Sequence, residues 1–154
     1  MLPYLPLLGA AAGVLLFGIA LAVPAARSLS TSALVAIHLV RAAGAGLVVL
    51  ARKALLPGEI AEKFGIGEIA VAILGAAVLW LLTMPLERKP RSVVAWSAFG
   101  LINIGWFALA WMREAPLGVE AWRMESFPVV LYPAVVIPLA VASHLELIRR
   151  GSTR

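Results

Sequence analysis

Apolar and polar residues alternate along this chain in long blocks. Five stretches, about 4–25, 30–51, 66–84, 92–112 and 128–148, are apolar almost throughout. Each is close to the roughly 20 residues that an α-helix rising about 1.5 Å per residue needs to cross a bilayer. The joints between them hold the charge and turn residues: "PAARS" at 24–28, "RKALLPGEIAEKFG" at 52–65, "PLERKPRS" at 85–92 and "REAPLGVEAWRMES" at 113–126. No joint is long enough to fold by itself. The pattern therefore predicts one domain over 1–154, an all-α integral membrane bundle of five transmembrane helices. The first stretch lacks a charged leader and is too long for a signal-peptide core, so it reads as a retained span. Within the second joint, residues 55–65 suit a short interfacial helix, with Ile60 and Phe64 turned inward and Glu59, Glu62 and Lys63 toward water. Pro57 and Gly58 equally suit an irregular turn there.

Composition agrees with this division. Hydrophobic residues make up 62% of the chain and charged residues only 14%, with a mean hydropathy of +0.98, whereas soluble domains carry about 25% charged residues. The implied partner is the lipid bilayer, and the implied location a multi-pass protein of the inner (plasma) membrane. The net charge of +5 sits in the joints without interleaved aromatics, which argues against nucleic-acid binding. With five spans, one side collects Arg27, Arg88, Lys89, Arg91, Arg149, Arg150 and Arg154, the other Arg52, Lys53, Lys63, Arg113 and Arg123. The more basic side belongs in the cytoplasm, which puts the N-terminus out and the C-terminus in. Trp80 and Trp96 fall near the first side and Tyr4, Trp111, Phe127 and Tyr132 near the second, as interfacial aromatic belts would. Gly9 with Gly13, and Ala42 with Gly46, have the four-residue spacing that lets helices approach closely, within the bundle or in self-association.

Chemistry is restricted by what is missing. The chain has no Cys, Asp or Gln, and Asn103 is its one asparagine. Thiol chemistry and an Asp-based triad are excluded, no serine has a nucleophile-elbow context, and no histidine spacing suits a metal. An enzyme is less expected than a binding or accessory protein. The informative residues are those that lipid tolerates poorly, at a cost of about 2.5–3.5 kcal/mol each at a span centre. They are His38 and Arg41 in the second span, Glu68 in the third, Asn103 in the fourth, and His144 and Glu146 in the fifth. Helical rise brings Arg41 and Asn103 to similar depth, with Glu68 within reach of the arginine stem. His38 is one turn from Arg41 on the same face. Glu146 is expected to pair with Arg149 or Arg150 at the membrane edge. Pro133 and Pro138 interrupt the last span, and a kink at Pro138 would aim His144 into the bundle.

Three readings of this set stay open. In one, Arg41, Glu68, Asn103, His144 and His38 bind a small polar molecule or handle protons. In another, His38 and His144 clamp a b-type haem as axial ligands of an electron carrier, with Gly44 and Gly46 admitting the flat ring. In the third, the polar residues only lock helices together in an accessory or structural subunit, with no cofactor.

The segments "LVRAAGAGLVVLARKALLPGEIAEKFGIGEIAVAILGAA", "AFGLINIGWFALAW" and "FPVVLYPAVVIPLAVASHLELIRR" resemble an uncharacterised family of small bacterial multi-pass membrane proteins. That family's pattern has an arginine–glycine span, a loop ending in an acidic residue, and a last span with two prolines before a histidine. The resemblance implies that Arg41, Gly44, Glu68, Asn103, Pro133, Pro138 and His144 are its polar and proline positions. Glu68 and Asn103 stand where aspartates are expected, and the second exchange removes a charge. His38 lies outside the pattern. The arginine–glycine span followed by "GIGE" is also similar to DoxX-like membrane proteins.

Overall fold

A computed structural model of the protein describes residues 5–56, 58–84, 89–114 and 135–152. Among these the chain is helical, with no strand: α1 (Leu5–Ser28), α2 (Thr31–Ile37), a 3₁₀ segment (His38–Ala43), α3 (Gly44–Arg52), α4 (Gly58–Leu82), α5 (Lys89–Glu114) and α6 (Ile137–Ser152). Thr31–Arg52 runs as one continuous rod, so the described helices form five rods. Three of them, Thr31–Arg52, Ile60–Leu82 and Arg91–Ala110, are long and apolar enough to cross a membrane. Tyr4, Phe127, Tyr132, Pro133 and the Ala134 carbonyl that Pro138 would free lie outside the described residues, as do the side chains of Gly9, Gly13 and Trp111.

Local signals set the ends of these rods. Ser30 caps α2, its Oγ accepting from the Ala33 N–H at 3.1 Å. At the end of α3 the Ala54 N–H donates to the Ala51 carbonyl and the Leu55 N–H to the Leu50 carbonyl, both at 2.9 Å. That pairing is a Schellman cap, and it places Ala54 at φ 54°, where glycine is usual. The stretch 55–65 is no separate interfacial helix. Helix α4 begins at Gly58 and runs unbroken to Leu82, which draws Ile60 and Phe64 into the core and leaves Lys63 outside. Glu62 bonds Arg52 at 2.9 Å on the surface.

Packing pairs α1 with α6, α6 with α5, α5 with α4, and α4 with the second rod. Two apolar layers result. One joins Leu47 and Ala51 to Ile60, Phe64, Ile104, Phe107, Ile137 and Ala140, with Phe64 and Phe107 stacked at 4.0 Å. The other joins Ala26, Leu34 and Val35 to Val71, Val78, Val93, Trp96, Ala142 and Leu147. Between the layers, on every rod after α1, lies a stretch contributing a buried polar side chain or a glycine. The outward faces are the reverse: Leu21, Ile73, Ile102 and Leu109 are each more than 60% exposed. So many exposed large apolar side chains are unusual on a water-soluble monomer and are compatible with a membrane bundle.

Two expectations need correction. Trp96 is not a belt residue: it is buried, and its indole N–H donates to the Val71 carbonyl of α4 at 3.0 Å, while Trp80 remains exposed. Ala42 and Gly46 do not mark a close helix contact within the bundle, since both are exposed and a Cβ on Gly46 would meet nothing within 4 Å. The close approach occurs instead at Gly44 and Gly65, where a Cβ on Gly65 would lie 2.6 Å from the Gly44 carbonyl oxygen.

Candidate functional site

The polar layer begins with a rod whose pitch changes. In a 3₁₀ turn residues i and i+3 eclipse, so the segment His38–Ala43 stacks His38 and Arg41 in line on the inner face, and both are buried. The tight contact of Gly44 with Gly65 brings α4 close enough for Glu68 to meet Arg41 head on. Arg41 Nε donates to Glu68 Oε2 at 2.8 Å and Nη2 donates to Oε1, a bidentate pair with both side chains almost wholly out of solvent. Such a planar fork matches a carboxylate in a way a lysine could not.

Two further helices complete the coordination. Asn103 Nδ2 of α5 donates to Glu68 Oε1 at 2.7 Å, and its side chain fits because α4 has no Cβ at Gly67: one built there would collide with the Asn103 amide. From α6, His144 Nε2 lies 2.9 Å from Arg41 Nη1. A guanidinium has only donors, so Nε2 accepts and the His144 ring carries its proton on Nδ1. Gly100 makes the space for this ring, since a Cβ at Gly100 would collide with Nε2.

His38 completes the layer. Its ring stacks on that of His144 with centroids 3.9 Å apart and planes 28° from parallel. Its Nε2 lies 2.7 Å from Ser143 Oγ, and that hydroxyl also reaches the carbonyls of Leu139 and Ala140 in its own helix at 2.9 and 3.1 Å. Trp96 stands edge-on to both rings, 5.0 Å from each. Among the described residues three buried polar side-chain atoms find no partner: His38 Nδ1, His144 Nδ1 and Ser97 Oγ.

All five residues read from the sequence, Arg41, Glu68, Asn103, His144 and His38, therefore converge in one layer. The two histidines come into direct contact, His38 bonding Ser143 and His144 bonding Arg41. Glu146 lies apart, bonded to Arg149 Nε at 2.8 Å and Arg150 Nε at 2.7 Å. Ser143, Trp96, Gly67 and Gly100 were not among the residues the sequence marked out for the site. The available signal was the adjacency of Ser143 to His144 and the glycines inside otherwise bulky apolar spans.

The geometry does not fit a haem held between the two histidines. Axial ligation needs a flat macrocycle between the rings with a nitrogen of each aimed at its centre, whereas these rings lie flat on one another. Gly44, proposed to admit the ring, is filled by Glu68 Cβ and the Gly65 carbonyl. Among the described residues no group of three or more metal-ligating side chains gathers.

Neither a curated protein nor a solved structure matches this chain. Residues 3–150 match a domain of unknown function, DUF8737, and the chain belongs to that family.

Proposed function

We propose that this protein is a small multi-pass protein of the bacterial inner membrane whose buried polar layer handles protons. In this reading all five rods span the bilayer, with the N-terminus outside and the C-terminus in the cytoplasm, as the basic residues Arg27, Arg149 and Arg150 favour. The observation that carries the reading is the stacked pair His38–His144. Two imidazoles stand side by side in the centre of the bundle, each with a buried nitrogen that no protein group engages. Imidazole is the side chain that gains and loses a proton near neutral pH. Intramembrane ionisable residues facing the bundle interior mark proton or substrate paths as a rule. Arg41 and Glu68 supply a fixed dipole beside the pair, while Asn103 orients the carboxylate.

The test is proton equilibration in sealed vesicles holding the purified protein and an entrapped pH-sensitive dye. After an external pH step, wild-type vesicles are expected to equilibrate faster than empty ones, and His144→Gln and His38→Gln vesicles as slowly as empty ones. Wild-type vesicles no faster than empty ones would contradict the reading.

A second reading has its own observation. Arg41 and Glu68 satisfy each other bidentately and Asn103 takes a further lone pair, which is how a purely structural lock in an accessory subunit would look. Unstable Arg41 and Glu68 variants fit both readings, because removal of one partner from a buried pair leaves an uncompensated charge. The structural lock is favoured if, in addition, wild-type vesicles equilibrate no faster than empty ones.

A further inference from the structure

The hydrogen-bond inventory around the two histidines fixes more than their positions. His144 accepts at Nε2 from Arg41, so its orphaned Nδ1 is a donor N–H. For His38 the partner is Ser143, whose hydroxyl has one proton to give. A helical serine ordinarily gives that proton to the carbonyl of the preceding turn, and Leu139 O and Ala140 O are both within reach. Ser143 Oγ then accepts from His38 Nε2–H, and the orphaned His38 Nδ1 is a bare acceptor. This choice also leaves the less costly orphan, since buried carbonyl-type acceptors go unsatisfied more often than buried N–H donors.

The two rings therefore stand in opposite tautomers, with one unpartnered donor and one unpartnered acceptor on the edges of adjacent stacked rings. Both side chains are at most 1% exposed. A third orphan, Ser97 Oγ, is one turn from Gly100 on α5, on the face that receives His144. Buried water characteristically satisfies two to four otherwise orphaned polar groups of this sort. We infer that the Nδ1 atoms of His38 and His144 form a binding site for one uncharged molecule of water size that both donates and accepts a hydrogen bond. Water is the occupant in the resting protein. A cation would meet the His144 N–H and the Arg41 guanidinium, and an anion would meet the His38 lone pair, so neither matches the site. Ser143 is the positioning residue that sets the His38 tautomer. The inference deepens the proton-handling reading and rests on it for its purpose, because a bound water is what would connect two imidazoles to an incoming proton.

The experiment is solid-state NMR on the full chain with ¹⁵N-labelled histidine in lipid bilayers, the two residues being distinguished by His38→Gln. The expected result is His144 protonated at Nδ1 and His38 at Nε2, with magnetisation from water protons reaching both Nδ1 atoms first. Two histidines in the same tautomer, or Nδ1 atoms that receive nothing from water, would overturn the inference. In Ser143→Ala, His38 is expected to shift its proton toward Nδ1 while His144 stays unchanged. A His38 that keeps its wild-type tautomer would overturn the role of Ser143. Opposite tautomers with bound water, but no proton equilibration in vesicles, would remove the proton-handling reading and leave the site standing.

Discussion

Among the described residues two buried carboxylates, Glu68 and Glu146, are each held by guanidinium groups, and the surroundings of those arginines differ. Glu68 is held by Arg41 across two rods, with both side chains essentially out of solvent. Glu146 is held by Arg149 and Arg150 within one helix, at three- and four-residue spacing, and the Arg149 side chain is 58% exposed. The second cluster needs little explanation. Its pairs are local, its ends are wet, and Arg150 reaches across to the carbonyls of Leu29 and Arg27 at 2.8 and 3.0 Å, where a cation suits the C-terminus of α1. The first cluster is a different matter. Burying two charges carries a desolvation penalty that their attraction often fails to recover, and an apolar replacement is commonly as stable. The same chemistry is thus easily held at the edge and demanding in the middle.

Removing one partner should expose the difference most clearly. Glu68→Ala is expected to destabilise the protein by roughly 3–5 kcal/mol, because Arg41 is left charged and buried. Glu146→Ala should lose less, about 1–2 kcal/mol, because the guanidiniums it leaves behind reach solvent and Arg150 keeps the Leu29 and Arg27 carbonyls. Unfolding followed in detergent or bilayer would check both, and equal losses would break the comparison. Next in size is Gly100→Ala, expected to lose about 1–3 kcal/mol by forcing its methyl against the His144 ring. Gly46→Ala, which meets open space, should be neutral or gain roughly 0.5–1 kcal/mol from helix propensity. Arg150→Ala should lose about 1 kcal/mol through the α1 end, with α6 itself intact. Smallest, and outside both clusters, Ala54→Gly should gain up to about 1 kcal/mol by relieving the left-handed conformation at the Schellman cap.

Much of the inner cluster could be read from the chain because ionisable residues are conspicuous inside long apolar stretches. Arg41, Glu68 and Asn103 announced themselves by their place in apolar spans, and helical rise put them at compatible depths. Glu146 was equally legible, since three- and four-residue spacing to arginine is a local rule. What could not be read was contact between rods distant in the chain. The register of the second rod against α6 decides that His38 meets Ser143 and stacks on His144, and no local pattern encodes that register. Trp96 looked like a belt residue because its depth is right, but its direction is set by packing against Val71 and the histidines. Helix α4 started earlier than the hydropathy implied, because Glu62 and Lys63 are polar on one side of a helix whose other side, with Ile60 and Phe64, is core. The Ala42–Gly46 spacing misled for a related reason. Small residues permit close approach without requiring it, and the rod turns Gly44 inward instead.

The central claim, that the imidazoles of the inner layer exchange protons with water from within the bundle, is tested most directly by infrared difference spectroscopy as the protein in bilayers is moved from H₂O to D₂O. Imidazole ring bands are expected to change in the wild type and to be lost in the His38→Gln/His144→Gln double variant, which removes both histidines of the chain. Glu146→Ala should leave those bands unaltered. A wild-type spectrum whose imidazole bands do not shift in D₂O would contradict the account and leave the cluster a structural lock.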